Sequence, residues 1–143
     1  MIRMYPDQVA RHWEGLKPAV EGALPDITKA TMDRETSIFK SLMAGQLIMH
    51  LLCDDATMLI RGIMTTAIID TIDMVERQLL LYTAYAVGET KKEDWIEAWR
   101  LLADYAKGNN CTSVVAYTNQ EKILSLAKMV GCKVDVHFLR WEV

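Results

Sequence analysis

The sequence predicts a mixed α/β domain, and three observations carry that prediction. Three apolar runs follow one another with only short polar breaks, at 47–53, 57–74 and 77–87. A long amphipathic helix signal over 90–107 follows directly. A short β-branched stretch, another helix and an alternating final stretch close the chain. Strands joined by tight turns and then separated by helices make an antiparallel meander continued through a crossover.

The chain has 143 residues, 51% hydrophobic and 24% charged. That is one domain, 1–143, with enough apolar side chains for a core. The longest uncharged apolar run, 41–53, contains Gly45, Gln46 and His50 and falls short of a membrane span. The opening MIRMYPDQ lacks the apolar core of a signal peptide. The expectation is a soluble, cytoplasmic protein. Sixteen basic and nineteen acidic residues give a net charge of −3, which argues against nucleic acid as the partner. Cys53, Cys111 and Cys132 match no zinc spacing, and His12, His50 and His137 are scattered, so no metal site is expected.

Residues 2–5 read as a short strand. Pro6 and Asp7 then open a helix that carries Val9, Trp13, Leu16 and Val20 at helical spacing, with a break expected near Pro18. A second helix over 34–44 turns Ile38, Leu42 and Phe39 inward and stops at Gly45. The run 47–53 ends at the turn signal Asp54-Asp55. The next two runs are rich in β-branched and aromatic residues, which favour strands. They are apolar at both alternating positions, which predicts that both faces of the sheet are covered.

The helix over 90–107 places Trp95, Ile96, Trp99, Leu102, Ala103 and Ala106 on one face, with Thr90 or Asp94 as its cap and Gly108 as its end. CTSVVAYTN is a strand, QEKILSLAKMVG an amphipathic helix, and KVDVHFLRWEV a final strand with one wet face. The order is β-α-α-β-β-β-α-β-α-β. Trp13, Trp95, Trp99 and Trp141 read as packing residues.

On this order, and on the stretch LLADYAKGNNCTSVVAYTNQEKILSLAKMVGCKVD, the chain resembles the GCN5-related N-acetyltransferase (GNAT) superfamily. Asn110-Cys111 begins the strand of that pattern, Asn119 ends it, and Gly131-Cys132 stands where the family has Gly-Phe. The resemblance implies a central sheet whose fourth and fifth strands splay, with the pantetheine arm of acetyl-CoA in the gap. It implies backbone N–H groups at the start of the long helix holding the pyrophosphate. Val87, Gly88, Thr90, Lys91 and Lys92, with Asn119, are the coenzyme-binding positions that it indicates. The implied reaction is acyl transfer to an amine on a protein or small molecule, helped by a base and an acid.

The match departs from the family at three places. The loop AVGETKKEDW lacks the Gln/Arg-x-x-Gly-x-Gly/Ala pattern, keeps only Gly88, and puts Glu93 and Trp95 near the other glycine positions. Glu89, Glu93 and Asp94 bring carboxylates to a phosphate site, partly offset by Lys91 and Lys92. The family's acid, a tyrosine on the last helix, is replaced by Ala127, leaving Tyr117 as the substitute. For the base, Asp70, Asp73 and Glu76 stand at the edge between the runs 57–74 and 77–87, and Glu76 is the best placed by analogy.

Two functions are therefore expected. One is acetyl-CoA-dependent acyl transfer. The other is a degenerate GNAT fold that binds a host or virion protein, in the style of small bacteriophage-encoded members. In either case the last strand offers an edge through which a homodimer can pair.

Overall fold

The structure is a computed structural model and describes residues 1–23, 32–118 and 121–133. The elements run β1 (Ile2–Met4), α1 (Pro6–Gly22), α2 (Met32–Met43), β2 (Ile48–Cys53), β3 (Ile60–Asp70), β4 (Arg77–Ala86), α3 (Lys92–Gly108), β5 (Ser113–Ala116) and α4 (Glu121–Met129). The expected order holds through α4. The expected final strand, from Lys133 onward, lies outside the described residues except for Lys133 itself.

The five strands form one sheet in chain order. β1 to β4 are antiparallel neighbours, and β5 joins β4 in parallel. A parallel neighbour needs a crossover, and α3 supplies it.

Both sheet faces are covered, as the two-sided apolar runs predict. On one face α1 and α2 bury Val9, Trp13, Leu16, Val20, Ile38 and Leu42 against Met4, Met49 and Ile63. The rings of Trp13 and Phe39, 4.9 Å apart, tie the two helices together. On the other face α3 covers Met64 and Leu79. Adjacent residues of β2 divide between the layers: Met49 and Leu51 face α1 and α2, while Leu52 faces α3. Each large side chain buried in this way stabilises the fold by roughly 1.5–3 kcal/mol.

Two expectations are corrected. α1 does not break at Pro18 but runs through it to Gly22. Pro18 lies on the exposed side, and the buried Leu16, Ala19 and Val20 on either side of it hold the helix to the sheet. The expected inward face of α3 holds at Leu102 and Ala106, but the third buried residue is Ala98 rather than Trp95 or Trp99. Two alanines let the helix backbone approach the sheet, and Trp95 and Trp99 sit half-buried at the flanks.

Candidate functional site

The sheet is interrupted at two β-bulges, and each aims one polar side chain at a helix. Between β2 and β3 the register moves from Leu52↔Gly62 to Cys53↔Ile60, which leaves Arg61 without an opposite residue. Between β3 and β4 it moves from Thr65↔Thr83 to Thr66↔Leu81, which leaves Tyr82 without one. An extra residue in one strand bends it and re-aims its side chains. Arg61 reaches the start of α3. Tyr82 reaches α2 on the opposite face.

The second bulge also marks where the sheet opens. β4 and β5 pair from Gln78↔Ser113 to Leu81↔Ala116 and no further. β5 ends there, so Tyr82 to Ala86 have no partner on that side among the described residues. The polar groups of that half of β4 form an open edge able to take an extended chain. Behind the bulge, the hydroxyls of Thr65 and Thr83 share a buried hydrogen bond of 2.6 Å.

On the α1/α2 side, Tyr82 lines a cleft of about 310 Å³ with Ser37, Ile38, Ser41, Gln46 and Leu47. That volume is at the lower end for a small-molecule site. Tyr85 lies on the same face, its ring against Gly22 at the end of α1. Two residues three apart share a face here because the bulge breaks the alternation between them.

On the other face the start of α3 is closed by its own residues. Asp94 Oδ2 accepts the Lys91 N–H at 2.8 Å and meets Arg61 at 3.4 Å. Arg61 also donates to the Glu89 carbonyl at 3.5 Å, while its Nε is buried without a protein partner. The Trp95 indole donates to the Thr90 hydroxyl at 3.1 Å. Val87 N–H bonds the Arg61 carbonyl at 2.9 Å. Gly88 turns the chain at φ +76°, a conformation that side chains rarely adopt. The space left between α3 and β4 is small, about 30 Å³.

Of the expected coenzyme positions, Val87, Gly88, Thr90 and Lys91 lie in the loop between β4 and α3, and Lys92 is the first residue of α3. Asn119 lies outside the described residues. Tyr117 follows β5 directly, 70% exposed, at the end of the sheet where the strands part.

Glu76 is not brought to this site. It closes the turn between β3 and β4, where its carbonyl accepts the Thr71 N–H at 2.9 Å and its carboxylate accepts from Gln78 at 3.1 Å. At about 3.4 Å per residue, Tyr85 is roughly 30 Å further along the strand. Asp70 and Asp73 belong to the same end. Asp70 faces Arg77 at 3.9 Å, and hydrogen bonds from Thr71 and Val75 hold the Asp73 carboxyl below its usual range.

Sequence reasoning missed Arg61, Tyr82 and Tyr85. No periodicity signals a bulge, so no signal along the chain marks the first two.

An extended thioester arm fits the open edge of β4, where backbone donors and acceptors lie side by side. A diphosphate at the start of α3 does not fit the present arrangement, because the Asp94 carboxylate already takes the Lys91 N–H. Lys91 and Lys92, both exposed, remain as cations at the mouth of the loop.

No family model matches the sequence, and no curated protein matches it. Solved structures do match in fold. A probable acetyltransferase aligns with a TM-score of 0.73 at 12% identity, over 99% of this chain and 95% of its own. A ribosomal-protein-alanine N-acetyltransferase from Brucella melitensis biovar Abortus 2308 aligns at 0.71 and 11% identity, over 99% and 98%. A predicted acetyltransferase with acetyl-CoA from Clostridium acetobutylicum aligns at 0.68 and 13% identity, over 99% and 94%. At such identities the likeness is one of fold. No helix among the described residues is long and apolar enough to cross a membrane.

Proposed function

We propose, from the premise that this chain has the GNAT fold, that it transfers an acetyl group from acetyl-CoA to an amine. The observation that carries the reading is the end of β4–β5 pairing at Leu81, one residue before the bulge at Tyr82. In this reading the backbone of 82–86 binds the extended arm, and the loop from Val87 to Lys92 meets its phosphates, with Lys91 and Lys92 pairing with their oxygens. Bound acetyl-CoA supplies an activated acyl thioester. The protein holds an amine beside it from the α2 side, and positioning alone supplies a large part of the acceleration.

The cleft that Tyr82 shares with α2 is where the acceptor enters. Its described lining is hydroxyl, amide and alkyl. Those groups suit an amine on a neutral, hydrogen-bonding body, whether a small molecule or the end of a peptide. The reading also implies a cytoplasmic protein, where acetyl-CoA is available.

A second reading is favoured by one specific observation, the Asp94 carboxylate on the Lys91 N–H. A helix start that holds its own acid has less to offer a phosphate. In that reading the fold has lost turnover and binds another protein, a host or virion protein if the chain is phage-encoded, or a second copy of itself.

Acetyl-CoA titration separates the two. At about a hundred times its Kd, a ligand of the folded state stabilises it by roughly 2.7 kcal/mol. The acyl-transfer reading expects a clear rise in melting temperature with acetyl-CoA. An unchanged melting temperature at millimolar acetyl-CoA removes that reading and leaves the protein-binding one.

A further inference from the structure

We infer that the tip of the β3–β4 hairpin docks a second copy of this chain, seating in that copy's Tyr82 cleft. The inference stands on the hairpin and the cleft, and it holds with or without acyl transfer. The tip puts three large apolar side chains into solvent: Ile72 is 104% exposed, Val75 76% and Met74 75%. Single exposed apolar residues are ordinary, but a contiguous group marks an interaction site. The group is held rigidly. The Thr71 N–H donates to the Glu76 carbonyl at 2.9 Å, and the Met74 N–H to the Thr71 carbonyl at 2.7 Å. The Asp73 carboxylate accepts from the Thr71 hydroxyl and, at 3.2 Å, from the Val75 N–H. Met74 stands at φ +57°, a left-handed conformation that is costly for a bulky residue. Its exposed side chain does little within one molecule to offset that cost.

Charge selects the surface that receives the tip. Asp70, Asp73 and Glu76 surround it, against the single cation Arg77. Two tips therefore repel each other. A tip and the exposed turn at Met58 and Leu59 repel as well, because that turn carries Asp54 and Asp55. The Tyr82 cleft has no charged residue in its described lining. Ile38, Leu47 and the Tyr82 ring give it apolar walls, and about 310 Å³ has room for an aliphatic side chain. Lys40, exposed on the same turn of α2 as Ser37 and Ser41, brings a cation to that side of the helix. An acidic, apolar knob thus meets an apolar hole with a basic neighbour.

The tip cannot serve the cleft of its own molecule. Tyr82 lies five residues along β4 from Arg77, about 17 Å, and that span is laddered to both β3 and β5. With one tip and one cleft on the same arm, two copies can close about a two-fold axis, each tip in the other's cleft. Two such seatings make a small interface, about 1,200 Å² or less, so the dimer is weak and concentration-dependent. Under the acyl-transfer reading, a seated tip fills the cleft assigned to the acceptor, and the dimer is the form closed to it.

Sedimentation velocity of the full chain, from micromolar to millimolar concentration, tests the inference. A monomer–dimer equilibrium is expected. Ile72→Asp leaves the hydrogen bonds of the turn in place and is expected to weaken the dimer about tenfold or more, with the melting temperature of the monomer unchanged. Lys40→Glu is expected to weaken it as well. With p-benzoylphenylalanine in place of Ile72, irradiation is expected to cross-link the tip to the cleft residues of the second copy. A chain that stays monomeric at millimolar concentration overturns the inference. So does a dimer that either substitution leaves at full strength, and so does a cross-link from position 72 to the second tip or to another surface. None of these outcomes bears on acetyl-CoA binding, so the acyl-transfer reading stands or falls by its own titration.

Discussion

The guanidinium of Arg61 meets the carboxylate of Asp94 at 3.4 Å, joining a bulge of the sheet to the first turn of α3. Asp94 thereby does for the helix start what a bound anion does elsewhere: it takes a backbone donor and faces a cation. The pair is about one-third exposed on each side, so its own contribution to stability is modest, roughly 0–1 kcal/mol.

Asp94→Asn is expected to lower stability by roughly 0.3–1 kcal/mol, because a charge complementary to the helix start is lost. The same change is expected to strengthen acetyl-CoA binding, because a carboxylate no longer competes with phosphate. Urea unfolding measures the first and calorimetric titration the second. Equal affinity in parent and variant rules out competition at this helix start.

Acid should weaken the fold through His50. This side chain is fully buried on β2, sharing a 2.8 Å hydrogen bond with Thr66. Burial, helped by Arg3 and the N-terminal amine, lowers its pKa from 6.5 to about 4. The unfolded chain therefore binds a proton between those values that the folded chain refuses. Stability is fully present above about pH 6.5 and falls as the pH drops toward 4, by on the order of 3 kcal/mol. Asp54 and Asp73 also have lowered pKa values, but their contribution is lost only below the ordinary carboxylate range, so the two windows separate. Urea midpoints at pH 7.5 and 4.5 should differ strongly in the parent and little in His50→Leu.

The hydroxyl pair behind the bulge invites a double-mutant cycle. Thr65 and Thr83 are buried and bonded to each other. Thr65→Val strands the partner hydroxyl and should cost roughly 1–3 kcal/mol. With Thr83→Val added, no polar group is left unpaired, and the double variant should be more stable than the sum of the singles. Strict additivity in urea unfolding counts against the pairing.

Leu79 and Ile72 should give opposite results to the same truncation. Leu79 is 0% exposed in the layer under α3, and Leu79→Ala should cost roughly 2–5 kcal/mol. Ile72 is fully exposed in the turn between β3 and β4, and Ile72→Ala should stay within about 0.5 kcal/mol. Thermal unfolding of the two variants side by side checks this.

The layers of the fold were legible along the chain because burial repeats with a period. Val9, Trp13, Leu16 and Val20 mark one face of α1, and the two-sided apolar runs mark strands covered from above and below. Gly45, at φ +71°, ends the helix turn where a glycine stop was expected. The tryptophans of α3 misled, because a helix lies closest to a sheet along its small side chains, and here those are Ala98 and Ala106.

The site was legible only as a neighbourhood. The loop from Val87 to Lys92 follows from its place between strand and helix, but Glu76 was assigned to it by analogy and lies at the far end of β4. Strict alternation puts Tyr82 and Tyr85 on opposite faces, and the bulge puts both on one.

By itself, then, the amino-acid order determined which segments are helix and strand, that both faces of the sheet are buried, and which loop follows β4. Those are averages over many residues, each adding a small free energy in the same direction. Tertiary structure alone decided where β5 leaves β4, which side chains the two bulges turn outward, and that Asp94 finds Arg61. The last two depend on a register shift of one residue between distant segments, and one residue leaves no trace in a periodicity.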